Sequence, residues 1–402
     1  MTRPPRRATP GRSATQPALA ACALAVAVWA AVLPPIPSST SARAAAPAQP
    51  GLTEAPRIAR AYAAVLDADF DAVPAIVART CGPAPPVACR GLEALATWWE
   101  ILLDPDGRQL DARFTAQAEA AVTEAAAWTA REPDRAEAWF YLGAALGTRA
   151  QFKVLREQRL SAARDGKRIK EALERALTLD PAMHDAEFGI GAYRYYAGVA
   201  PAYLRWLRWL FLLPGGDRAG GLAQMERAQR EGVLVTDEAA YQLHVVYLWY
   251  EARATDALAL VVDLRGRHPH NPLFAHIEAR IRDVYLHDAA GSLAVSQSLL
   301  EEARAGRMHR AALATVRARV DIAVQLDRLG RRDEARATIA ALLAESPTAP
   351  VDAVRRARTL DAHGRRADPY RTCMDDPTTG CNGPLVGLAE RRSVDNHKSL
   401  SA

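Results

Sequence analysis

The chain has 402 residues, 50% of them apolar and 24% charged, with 51 basic against 46 acidic side chains. That length holds one long repeat array or two to three globular domains, and its apolar half excludes a chain disordered by composition. Residues 1–44 carry five arginines and no acid, which leaves 46 basic against 46 acidic groups beyond them. The overall positive balance is therefore no sign of nucleic-acid binding, and no nucleic-acid partner is expected.

Arg3, Arg6, Arg7 and Arg12 form a basic start, followed by an apolar run from Ala18 to Leu33, the pair Pro34-Pro35, and a Ser- and Ala-rich segment. Small-x-small sites close it at Ala42–Ala44 and Ala44–Ala46. This order predicts a secretory signal and leader over residues 1–46, and a periplasmic or extracellular protein. An uncleaved N-terminal membrane anchor is the alternative, although the run is short for a hydrocarbon core of about 30 Å. An oxidising compartment permits disulfides among Cys81, Cys89, Cys373 and Cys381. Local pairing, Cys81–Cys89 and Cys373–Cys381, is the simplest of the three connectivities. Each pair encloses seven residues, too many for the roughly two to four between paired cysteines of a structural zinc site.

From residue 47 to 366 apolar residues recur at three- and four-residue spacing, and Pro and Gly fall at the joints. Asp67, Asp69 and Asp71 have the start of a calcium loop. Ala72 and Ala78 stand where its glycine and glutamate are required, so the segment is predicted to be a turn between helices. Ala136–Gly143 (AEAWFYLG) opens one helix, residues 151–167 read as an insertion, and Ile169, Leu173 and Ala176 line a helix ending at Leu179-Asp180-Pro181. A weaker copy has Ala257, Val261 and Pro269. A clearer one runs through Ile322, Leu326, Leu329-Gly330, Ala335, Ile339, Leu342 and Pro347.

These residues resemble the tetratricopeptide (TPR) repeat, in the form of an exported bacterial protein: a large residue, Leu-Gly, a small residue where helices cross, and a closing proline. The prolines at 133, 181, 269 and 347 are spaced 48, 88 and 78 residues apart, against a repeat of about 34, so the copies are degenerate and carry insertions. The resemblance implies an all-α fold, an α-solenoid of TPR-like antiparallel helix pairs, with residues 367–402 as a C-terminal tail. Phe188-Gly189-Ile190-Gly191, Pro201 and Pro214–Leu222 resemble the central segment of a eukaryotic tetratricopeptide family. That family is associated with the mitochondrial outer membrane and the clearance of inclusion bodies or lipid-linked cargo. This second resemblance implies binding rather than catalysis.

The stretch 202–213 (AYLRWLRWLFLL) is apolar around most of a helix, with Arg205 and Arg208 one turn apart. A helix of that length spans about 18 Å, too short for a bilayer, and such girth predicts a helix wedged between neighbours. In the alternative, Arg205, Trp206, Arg208 and Trp209 form a membrane or hydrophobic surface. Pro214–Arg218 lacks the Lys-Ser/Thr and the preceding strand of a phosphate loop, and Asp217 reads as a helix cap. His268, His270 and His276 are interrupted by prolines, without a recognised ligand pattern, and read as a surface connection. No catalytic signature is present, and neither a cofactor, a metal nor an enzymatic activity is expected. Phe140, Phe188, Tyr195, Gln242 and Trp249 fall on first helices of pairs and are expected to line a concave aromatic groove. The predicted function is non-covalent binding of a protein or peptide partner; the alternative is handling of a membrane surface, lipid or hydrophobic cargo.

Overall fold

The structure, a computed structural model, describes residues 51–199 and 216–345. Every long element among them is an α-helix: α1 (Ala55–Leu66), α2 (Val73–Thr80), α3 (Pro86–Leu103), α4 (Asp111–Arg131), α5 (Ala136–Leu155), α6 (Arg159–Leu179) and α7 (His184–Val199). After residue 215 follow α8 (Arg218–Glu231), α9 (Thr236–Trp249), α10 (Ala254–Arg267), α11 (Pro272–Arg280), a π turn at Ile281–Tyr285, α12 (Ala289–Arg304), α13 (Ala311–Arg328) and α14 (Arg332–Glu345). No strand occurs among the described residues.

The sequence sets these boundaries. Proline occupies the first turn of α1, α2, α3 and α11, where its missing N–H costs no helical bond. Pro133, Pro181 and Pro269 each stand two residues beyond the end of α4, α6 and α10, where a helix cannot continue through them. Asp217 caps α8 by accepting from the Gly220 N–H, Asn271 caps α11 through Leu273, and Asp288 caps α12 through Gly291. Asp67–Asp71 lies in the α1–α2 turn, with Ala68 left-handed at φ 65°.

Residues 151–167, the expected insertion, are built mostly as helix. They lengthen α5 and α6 to 20 and 21 residues, joined by residues 156–158 alone. Polar side chains at helical spacing make this possible. Arg149 grips Asp165 across the pair at 2.9 and 2.7 Å, and Lys153 reaches the same carboxylate at 2.7 Å. Burial alone raises the Asp165 carboxyl, but Arg149 and Lys153 outweigh it and hold the group below the usual carboxylate range.

Helices consecutive in the chain pack as neighbours, most extensively α5 with α6, α7 with α8, and α12 with α13. Glycine permits the closest approaches. A Cβ at Gly143 would lie 2.3 Å from Leu173 Cδ2, and one at Gly189 2.4 Å from Leu173 Cδ1, so Leu173 of α6 fills the space two glycines leave on α5 and α7. Between α7 and α8 the contact is backbone on backbone: a Cβ at Gly191 would meet the Gly221 carbonyl oxygen at 2.6 Å.

The row also returns on its own beginning. Tyr62 of α1 donates to Glu238 of α9 at 2.8 Å and accepts from Trp99 Nε1 of α3 at 3.1 Å. The Trp99 ring, fully buried, meets Tyr241 edge-on at 4.9 Å and Phe274 at 6.0 Å. Asn271 Nδ2 donates to the Leu66 carbonyl at 2.6 Å, and Arg310 pairs with Glu100 at 2.8 Å. One apolar core accordingly runs from Ile58 to Phe274. In a strictly linear repeat array each unit touches only its neighbours; here α1 and α3 meet residues up to 210 positions later.

Cys81, at the end of α2, and Cys89, in the first turns of α3, form a disulfide. The leader at 1–46, the stretch with Arg205, Trp206, Arg208 and Trp209, and the tail with Cys373 and Cys381 lie outside the described residues. No described helix is long and apolar enough to cross a membrane.

Candidate functional site

A concavity lies where α1, α3, α5 and α7 converge with the start of α9. Its volume is about 140 Å³, close to that of an apolar cavity that takes up a benzene-sized group, so it admits a side chain rather than a drug-sized ligand. Gly91 on α3 and Ala144 and Gly147 on α5 leave the space. Leu92, Leu95, Phe140, Ile169, Phe188 and Leu234 provide much of the apolar wall.

Tyr62, Tyr141, Thr148, Gln151, Asp185 and Glu238 bring polar groups to this wall. Glu238 is buried, accepts from Tyr62 at 2.8 Å and Gln151 at 3.2 Å, and is held above the usual carboxylate range because burial disfavours its charge. Burial, and then the Glu238 charge, push the Tyr62 phenol well up, so it remains a donor. Asp185 is committed elsewhere: its carboxylate accepts the backbone N–H groups of Val233, Leu234 and Val235 at 3.0, 2.6 and 3.0 Å, which pins the entry to α9. Tyr141 differs from these three. Its side chain is buried, yet its hydroxyl has no hydrogen-bond partner among the described residues. Burial, then Glu137 and Asp185, raise its pKa, so it too remains protonated and able to donate. Leaving such a group unpaired costs roughly 1–3 kcal/mol.

The five residues expected in one groove divide. Phe140 and Phe188 line the cavity. Gln242 stands behind it, donating to Gln151 at 2.8 Å and Glu238 at 3.3 Å. Tyr195 is fully buried in a second core with Met225 and Val246, and its hydroxyl donates to Glu251. It shares a helical face with Phe188 but lies two turns further along α7. There the Gly191–Gly221 approach covers it with α8. Trp249, at the far end of α9, donates its indole N–H to the Tyr285 hydroxyl at 2.8 Å and does not reach the cavity. Expecting one shared groove for all five overlooked how far apart these positions are along their helices. Tyr62, Tyr141 and Glu238 were missed. Tyr141 follows Phe140 directly in the repeat phrase, and no period distinguishes it.

No protein-family model matches this chain, and no curated protein matches it.

Proposed function

We propose that this protein is an exported helical-repeat scaffold, a solenoid of degenerate TPR-like helix pairs. It holds an apolar segment of a protein or peptide partner non-covalently in the cavity between α3, α5 and α7. The observation that carries this reading is a pocket walled by carbon and fitted with one buried, unpaired phenol at Tyr141. Each large apolar side chain buried there would contribute about 2–3 kcal/mol, and a peptide carbonyl is the natural acceptor for the Tyr141 hydroxyl. The Cys81–Cys89 bridge supports the exported location, because such bonds persist in oxidising compartments.

The test is selection of displayed random peptides against the full chain. Selected peptides should be rich in Leu and Phe. Gly147 lines the cavity and a Cβ there meets nothing within 4 Å, so Gly147→Leu should fill the space and weaken them at least tenfold. Tyr141→Phe should weaken them several-fold. Equal binding to a folded Gly147→Leu variant would refute the cavity as the binding place. The alternative function, contact with a membrane surface or lipid through Arg205, Trp206, Arg208 and Trp209, predicts flotation with anionic liposomes that is lost on Trp206→Ala/Trp209→Ala.

A further inference from the structure

Where the row of helices meets its own start, three metal-ligating side chains converge from distant parts of the sequence. Asp67 is the C-terminal cap of α1, His270 lies in the α10–α11 connection, and His309 stands two residues before α13. One ligand atom from each lies within 4.8 Å of the others. We propose that Asp67, His270 and His309 form a binding site for a borderline divalent transition metal of the Zn²⁺ class.

The donor set selects the metal. Two imidazoles and one carboxylate suit Zn²⁺ and its neighbours, whereas Mg²⁺ and Ca²⁺ call for oxygen ligands in larger number. The three side chains are already held near one another. His270 Nδ1 lies 2.7 Å from Asp67 Oδ2, and the His270 backbone N–H donates to Asp67 Oδ1 at 3.0 Å. His309 donates its backbone N–H to the His270 carbonyl at 3.0 Å, and the two rings lie 5.6 Å apart. The adjacent Asn271 is locked to the Leu66 carbonyl. The ligands sit on braced connections that need only small side-chain rotations to reach a common ion.

The electrostatic setting favours a cation. The carboxyl end of α1 carries the negative pole of the helix dipole, and Asp67 adds a full negative charge there. Arg310, next to His309 in the chain, is engaged by Asp71 at 3.3 Å and Glu100 at 2.8 Å. His270 is half exposed, so the site opens to water, which completes the coordination. Once bound, the ion ties the end of α1 to the connections before α11 and α13.

The experiment is titration of Zn²⁺ into the untagged full chain, by calorimetry, with Co²⁺ absorption as the spectroscopic readout of imidazole ligation. One ion per chain is expected, with a rise in melting temperature on saturation. His309→Ala and Asp67→Asn should each weaken the dissociation constant at least tenfold and abolish the shift in melting temperature. His287→Ala, an exposed histidine outside the cluster, should leave both unchanged. Asp67→Asn keeps the size and shape of the side chain, and helical circular dichroism of each variant confirms folding. The absence of one-to-one binding, or binding by His309→Ala as tight as by the unaltered chain, overturns the assignment.

Discussion

Replacing Gly191 by alanine tests the claim that α7 and α8 pack backbone on backbone. The new Cβ would lie 2.6 Å from the Gly221 carbonyl oxygen, 2.9 Å from the Met225 nitrogen and 3.0 Å from Gln224 Cβ. Two of these neighbours are main chain and cannot rotate aside. Restoring a contact of 3.4 Å requires the helices to part by about 0.8 Å. Tyr195 and Met225, both fully buried at this seam, would lose close packing; a gap of that size forfeits a quarter to a half of each contact's attraction. Overpacking of this kind costs about 1–3 kcal/mol, against a helical gain of roughly 0.5–1 kcal/mol for alanine over glycine. Gly166, inside α6, is the control, because a Cβ there meets nothing within 4 Å. The same substitution should therefore change sign between the two sites: Gly191→Ala destabilises by about 1–2 kcal/mol and Gly166→Ala stabilises by up to about 1 kcal/mol. Differential scanning calorimetry would read this as a fall and a rise in melting temperature, at roughly 2 °C per kcal/mol for a chain of this size. A Gly191→Ala protein at least as stable as the unaltered chain would refute the reasoning.

Glu238 gives a pH signature. Burial raises its carboxyl pKa in the folded state, so its favourable contribution is present in acid and is lost as the pH rises through the raised value. Glu238→Gln removes this dependence, and the difference in melting temperature between pH 4.5 and pH 7 should change in favour of the neutral pH; an unchanged difference would contradict the assignment. Opening the nine-residue Cys81–Cys89 loop by Cys81→Ser/Cys89→Ser should cost about 2.5 kcal/mol, measured as a lower melting temperature than that of the oxidised chain and equal to that of the reduced one.

Local features were legible in the sequence. The prolines at 133, 181 and 269 do end helices, Asp217 does cap one, and the aspartates at 67–71 do form a turn. These depend on a few adjacent residues, so the sequence carries the signal whole. The extra length at 151–167 was legible, but not that it is helical, because its polar residues find their partners only once Asp165 lies one helix across from Arg149 and Lys153. The cavity was half legible: Phe140 and Phe188 follow from the repeat frame. Tyr141 and Glu238 depend on partners, or on the lack of one, that no spacing records. The meeting of Asp67 with His270 is least legible, since 203 positions separate them and neither lies in a recognisable motif.

That return of the row to its start bears on how such a molecule can change over generations. An open stack tolerates the loss or gain of a unit at the cost of one seam. Here, dropping a helix pair between α3 and α11 would move Asn271 away from Leu66 and Phe274 away from Trp99, and the two ends would no longer find each other. Among the described residues, the number of helices between α1 and α11 is tied to those contacts.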